Sequence, residues 1–556
     1  MTPDDAPAGD RLSGDDDGFV AVWFALLLLV LLAFAGVGID VANWWFTAQR
    51  AQRAADAAAL GGVVFLPGDP VTAASTAVDI SGRNGYRNGV NASVVATQEP
   101  NPTRLRVKVT TVVDNYFVGL VAADRQTISR QAVADFQGPV PMGSPENRLG
   151  NDPDQPAAAL PQMWLNLAAR GANKANGDRY QSTGCGVAAY QCSGTNNEYS
   201  PNGYFFTVRV SAIGSGPLTF QAFDPVYATV GDNCDVNLPT AAQATALKNT
   251  GRSEYADAPT RYATGSTGAA APFCTGDNSV GGTGMISTFI VRAPDNTPWS
   301  NTDNPVVSTA SCQPRQYGAW DQAVYPLLSP SSPTYNPTFA SQFRRWVTYC
   351  QIPAGTVVRG DYIVQVRSNA LSGSPLVASS PSTGGHNRFS MRAGFGTTTL
   401  SGTGVSLFAT GRLPIYMNAT GSDTRFFVAR IPPSTAGRTL HLEFFDVGDA
   451  AAAGSITILR PLSYGESAFP SCRFKRDNSV AVNTAPCTLT GVSAAGGYNG
   501  RLVTADIPLA TNYTCNMANA LDCWVKIRFT YPSGTSVQDT TTWAANVVGD
   551  PVRLVE

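Results

Sequence analysis

A chain of 556 residues with 43% hydrophobic content is long enough to bury several cores. Its charged fraction of 14% and formal net charge of −2 supply no basic field for nucleic acid, which excludes that class of partner. Gly, Pro, Ser, Thr, Asn and Ala fill the place of the missing charge, a composition that points to an extracytoplasmic, loop-rich and mostly β protein.

Residues 1–18 carry Asp4, Asp5, Asp10, Asp15, Asp16 and Asp17 against Arg11 and are expected to form an acidic cytoplasmic tail. Residues 19–39 are 21 uncharged apolar residues. At 1.5 Å per residue they span about 31 Å, the thickness of a hydrocarbon core. The run is long and the segment before it is acidic, so a retained transmembrane helix is expected rather than a cleaved signal peptide. Arg50 and Arg53 follow the span, and the positive-inside rule alone would keep the bulk of the chain in the cytoplasm. The cysteines argue the opposite. Cys185, Cys192, Cys234, Cys274, Cys312, Cys350, Cys472, Cys487, Cys515 and Cys523 all lie beyond the span, in even number and without metal-ligand spacing. That pattern reads as disulfides in an oxidising compartment, with neighbours in sequence as the simplest pairing.

The helical pattern continues through residues 40–62. Trp44 and Trp45 sit where interfacial aromatics belong. Ala48, Ala51, Ala55 and Ala58 then recur at three- and four-residue spacing, a small face suited to close packing with other helices. Alanine is also the best helix former, which accounts for the same residues without a partner. Gly61, Gly62 and Pro67 end the helix.

The stretch GFVAVWFALLLLVLLAFAGVGIDVANWWFTAQRAQRAADAAALGG, residues 18–62, resembles the N-terminal segment of TadE/TadG-like Flp pilus-assembly proteins of the Tad (tight adherence) family. Gly36, Asp40, Gln49, Gln52, Ala54, Ala55, Asp56, Ala57, Ala58, Ala59, Leu60 and Gly61 fit the family's pattern. The resemblance implies a pilin-like helix, anchored below and packing above, that joins other Tad subunits as partners. It also suggests prepilin-type processing after Gly18. The fifth residue beyond Gly18 is Trp23 instead of the preferred Glu, so a permanent anchor is expected.

Residues 63–137 are expected to form a small α/β stalk domain. Its elements are a helix from Pro70 to near Gly89, strands at 90–97 and 104–113, a short helix at 115–122 and a strand at 126–136. Residues 138–203, rich in Pro, Gly, Asn and Gln, read as a linker with one helix at 157–169 and a small loop closed by Cys185 and Cys192.

An internal repeat follows. YFFTVRV and PLTFQAFDP, from 204 and 217, parallel RFFVARI and TLHLEFFDV, from 425 and 439. Each pair is followed by an apolar strand ending in Arg, two cysteines and an alternating strand, DYIVQVR or CWVKIRF. The expected fold is therefore α+β and mostly β. The pilin-like helix and small α/β unit precede two tandem antiparallel, jelly-roll-like β-sandwiches at 204–370 and 371–556. Residues 227–284 are an insertion in the first, stapled by Cys234 and Cys274.

Catalytic signals are sparse. With only His386 and His441 there is no HExxH site, and no G-x-S-x-G elbow, P-loop or dinucleotide fingerprint occurs. His441 reads as a solvent-facing strand residue and His386 as a loop residue. GDNCDVN makes Asp232 and Asp235 calcium candidates, although Asp and Asn favour turns in any case. Trp299, Trp320, Trp346 and Trp543 are material for a sugar platform or for a core. No cofactor is expected. The expected function is a surface-exposed, membrane-anchored, non-enzymatic minor pilin-like or accessory protein of Flp/Tad pilus assembly that supports adhesion. The alternatives are an envelope adhesin whose sandwiches bind a glycan or protein, and a surface hydrolase.

Overall fold

The computed structural model describes residues 16–555 apart from 67–68, 101–102, 121, 137–139, 156–162, 188, 264–271, 279–284, 296, 298–299, 379–383, 421–422, 533–534 and 550–551. The acidic tail up to residue 15 lies outside the described residues. The chain divides into two compact units, 1–136 with 552–556, and 137–551.

The first unit is built on α1 (Asp16–Val63), a single helix of 48 residues with no proline in it. It is long and apolar enough to cross a membrane. After it comes α2 (Pro70–Arg83). Asp69 caps this helix by accepting from the amides of Val71 and Thr72 at 3.1 and 3.0 Å, and Pro70 occupies the first turn, where no amide is needed. The helix stops at Arg83, earlier than the expected end near Gly89, because Gly85 turns left-handed at φ +94°. Four antiparallel strands follow in the order β1 (Ala92–Gln98), β2 (Arg104–Asp114), β3 (Arg125–Phe136) and β4 (Val552–Leu554). The short helix expected at 115–122 is one 3-10 turn, Val118–Leu120.

Strand alternation sends Leu105, Val107 and Val109 of β2 and Ala132 and Ala134 of β3 to one face, and α1 packs there with α2 beside it. Ala48, Ala51, Ala55 and Ala58 are all buried, and the last three belong to this core together with Ala54 and Ala59. The alanine face expected to receive other helices is thus covered by the chain's own sheet and second helix. Only a small side chain lets the backbones come this close. A Cβ at Gly62, for example, would lie 2.6 Å from the Ala73 carbonyl oxygen.

The second unit contains two large antiparallel sheets facing one another over a single core. One runs Ser287–Arg292, Gly360–Arg367, Tyr204–Val210, Val405–Thr410, Pro141–Met142, Thr424–Arg430, Trp524–Thr530 and Gly454–Leu459, with a short strand beyond each end. The other includes, in order, Trp346–Ile352, Leu218–Phe223, His386–Phe395, Met163–Ala168, Arg412–Thr420, Ser536–Val548, Thr439–Phe445 and Leu502–Pro508. Aromatic pairs bridge the layers: Phe289 meets Phe389 at 5.2 Å and Phe426 meets Trp543 at 5.8 Å.

The repeat is visible in the pairing. Gly360–Arg367 joins Tyr204–Val210 as Trp524–Thr530 joins Thr424–Arg430. His386–Phe395 lies beside Leu218–Phe223 as Ser536–Val548 lies beside Thr439–Phe445. The strand from His386, assigned by sequence to the second copy, therefore completes the first, and the copies meet beyond Phe395. Neighbouring cysteines pair throughout: 185–192, 234–274, 312–350, 472–487 and 515–523.

Residues 138–203 are framework instead of linker. Met163–Ala168, placed by sequence inside a helix at 157–169, is a strand buried along its whole length between the two copies. A six-residue apolar run reads equally well as helix or strand, and pairing on both sides decides it. The loop after it is pinned by Asp178, which is fully buried and accepts from the Ala168 amide at 2.8 Å and the Tyr204 hydroxyl at 2.5 Å.

Replacing Ala51 and Ala55 with leucine forces side chains into the α1–sheet contact and is expected to cost about 1–3 kcal/mol per site. Hydrogen exchange should show the loss in β2 and β3 while the amides of 204–210 keep their protection. Unchanged exchange in β2 would mean that the alanines do not carry this contact.

Candidate functional site

The α1 surface that meets the rest of its unit begins within the apolar run. Gly36, Asp40 and Trp44 recur every four residues and so fall on one helical stripe. All three engage the loop between β2 and β3. The backbone amides of Tyr116, Phe117 and Val118 donate to the Asp40 carboxylate at 2.8, 2.8 and 2.6 Å. Asp40 is fully buried, and these three charge-assisted bonds replace its water. One turn earlier the Phe117 ring lies against Gly36, where a Cβ would stand 2.7 Å from the ring. One turn later the Trp44 indole donates to Asn115 Oδ1 at 2.7 Å, and Asn115 itself donates to the Ala123 carbonyl at 2.6 Å. Above this level Tyr86 donates to the Thr47 carbonyl at 3.3 Å, and Gln52 donates to Asp56 at 2.8 Å and to the Gln131 carbonyl at 3.0 Å. The stripe then passes into the buried alanines.

Residues 18–66 match the Tad family. The family is described as "Putative Flp pilus-assembly TadE/G-like". Of the Tad positions, Gly36, Asp40, Gln52, Ala54, Ala55, Ala58, Ala59 and Leu60 are turned to the loop and core of α1's own unit. No curated protein matches the chain. Among solved structures, the tandem CBM22-1–CBM22-2 domain of Paenibacillus barcinonensis Xyn10C has 8% identity over 82% of this chain and 92% of its own, at a TM-score of 0.11. The Faustovirus major capsid protein has 8% identity over 84% and 80%, at 0.13. Scores this low show no likeness of fold.

In the second unit the candidate residues serve the framework. Asp232 pairs with Arg388 and accepts from Asn278 Nδ2 at 2.7 Å, so its carboxylate is already engaged by protein donors. Arg388 is buried, donates to the Gly276 carbonyl and to Thr540, and lies 3.6 Å over the Tyr416 ring. Asp232 therefore ties the insertion to the sheet. Asp235 stands beside Gly231 in the same turn. Among the described residues no three His, Cys, Asp or Glu side chains are grouped to hold a metal ion.

His386 opens a strand rather than lying in a loop. It is buried, its Nδ1 is 3.0 Å from Asn166 Oδ1, and burial with the nearby Arg388 charge brings its pKa down to about 3, so it stays neutral. His441 is half-buried instead of solvent-facing, with Nδ1 2.6 Å from Asp506 and Nε2 3.5 Å from Glu443. Its bond to Glu443, opposed by burial, and its bond to Asp506 raise its pKa. Glu443 in turn pairs with Arg179 at 2.6 Å, and Arg179 with Glu198 at 2.6 Å. The chain of charges fastens residues 174–198 to the strand at 439–445. Trp543 is fully buried, Arg392 covers Trp346 at 4.0 Å, and Trp320 packs against Phe339 at 5.5 Å. Trp299 lies outside the described residues.

Sequence reasoning missed a buried carboxylate pair, because its members are distant in the chain. Asp446 accepts from the Gly500 amide at 2.5 Å and Asp539 from the Asp449 amide at 3.5 Å. Among the described residues, Asp446 Oδ2 and Asp539 Oδ1 have no hydrogen-bond partner. Burial first, and then the neighbouring acidic charges including Asp449, push both carboxyls well above the usual range.

Two outcomes follow from these contacts. Asp40→Ala should leave the amides of 116–118 without acceptors and speed their hydrogen exchange by roughly tenfold or more, leaving the second unit unchanged. Unaltered exchange there would show that the loop holds without Asp40. Asp446 and Asp539 hold protons in the folded state that the unfolded chain releases near pH 4, so they favour folding in acid and this contribution is lost as pH rises. Asp539→Asn should therefore stabilise the second unit on the order of 1 kcal/mol at pH 8 and less at pH 4, read from thermal unfolding at both values.

Proposed function

We propose that this protein is a minor pilin-like or accessory subunit of Flp/Tad pilus assembly, held in the cell membrane by α1, with residues 137–551 outside and a non-enzymatic role in adhesion. The observation that carries the proposal is the Tad match at 18–66, whose Gly36, Asp40 and alanine positions are built into a folded unit on the helix. The five disulfides support an oxidising location for the second unit. The neutral, enclosed His386 and the engaged Asp232 favour a binding or structural role over hydrolysis. With the alanine stripe covered, the side of α1 left for other subunits is the one bearing Trp45, Phe46, Gln49 and Arg53.

Protease added to intact spheroplasts should remove residues 137–551 and leave the membrane segment. Deleting the gene should reduce surface pili and attachment, and the tagged protein should bring down other pilus-assembly subunits. Full protection from protease, or normal piliation and attachment in the deletion strain, would overturn the proposal.

A further inference from the structure

The loop between β2 and β3 does more than cover Asp40. Residues 115–123, NYFVGLVAA, carry no charge, while Asp114, Asp124 and Arg125 stand at its two ends. Three of its large side chains are exposed, Leu120 at 82%, Tyr116 at 66% and Phe117 at 44%. Such a loop on a water-facing surface would be costly, and the contact with α1 shows which medium it meets. The Phe117 ring lies at Gly36, three residues before the end of the apolar run at Ile39, hence about 4.5 Å inside it along the helix axis. Wherever the run 19–39 is surrounded by hydrocarbon, the loop touching Gly36 must be at the same level.

The backbone is prepared for that level. The amides of Tyr116, Phe117 and Val118 are bound by Asp40. Those of Asn115, Leu120 and Ala122 donate to the carbonyls of Asp124, Phe117 and Val118 at 2.8, 3.1 and 2.8 Å. A segment entering a water-poor layer has to satisfy its own donors in this way. Trp45 and Phe46 are exposed on α1 just above, and Tyr and Trp are the residues preferred at the headgroup boundary.

We propose that this loop is a second membrane contact, a foot that seats Tyr116, Phe117 and Leu120 in the lipid interface beside α1 and fixes the height and tilt of the first unit on the bilayer. The proposal rests on α1 being a membrane anchor, and the test separates the two. All ten native cysteines are in disulfides, so an introduced cysteine is the one free thiol. Leu120→Cys, Val71→Cys at the far end of the unit and Leu29→Cys in the apolar run are each labelled with a spin label. The full chain is then reconstituted into vesicles of phosphatidylethanolamine and phosphatidylglycerol. Collisions with a water-soluble nickel chelate should be several-fold rarer at Leu120 than at Val71, and collisions with lipid-dissolved oxygen more frequent, approaching the pattern at Leu29. A Leu120 label as open to the chelate as Val71, with Leu29 in lipid, would overturn the foot and leave the anchor standing, and would return the exposed patch to a protein partner. A Leu29 label open to the chelate would overturn the anchor and the foot together.

Discussion

A carboxylate at the end of an apolar run in mid-helix has to be met by donors, and the construction of the first unit follows from how Asp40 is met. The donors are three consecutive amides of the loop joining β2 to β3. Once that loop is fixed to Asp40, the two strands must run along the same side of α1. The helix positions beneath them have to be small, which accounts for Ala48, Ala51, Ala55, Ala58 and Gly62 at three- and four-residue steps. Gly36 belongs to the same requirement one turn below, where Phe117 needs its space.

The second unit answers the same demand with other means. Few of its residues are charged, and several that are charged are buried and held by more than one partner. Arg388 is held by Asp232, a carbonyl, a hydroxyl and an aromatic face, and Asp178 by two backbone amides, a third at 3.2 Å and a tyrosine hydroxyl. Arg388 joins the insertion to the sheet, Asp178 joins its loop to the strands at 163–168 and 204–210, and the Arg179–Glu443 pair joins residues 174–198 to the second copy. Polar side chains supply bonds that loops poor in regular structure do not make among themselves.

How much of this could be read from the sequence depends on the range of the signal. The apolar run, the continuous helix and the alternation of β2 are local patterns, and each lies where its residues indicate. Neighbouring cysteines pair because the segment between each two, whether loop, helix or strand, returns close to its origin. Asp40 stood out as a Tad position, yet its partners are some 76 residues away and carry no motif of their own. Met163–Ala168 and His386–Phe395 were misplaced for a related reason. Strands paired on both sides and buried on both faces lose the alternation that marks a half-buried strand. The alanine stripe was legible as a packing face, but small residues accept a sheet as readily as a helix, so its occupant was not.

The position of the second unit within the chain has a mechanical consequence. It is inserted between two adjacent strands of the first, since the chain leaves after Phe136 and returns at Val552, and these two residues face each other across β3 and β4. Tension applied to the second unit enters the sheet through both strands side by side. They grip it unequally: β3 is paired to β2 over eleven residues, β4 to β3 over three. Under a rising pull β4 is the clasp that slips first, paying out a little chain while β3 keeps its hold on the helix-bound sheet.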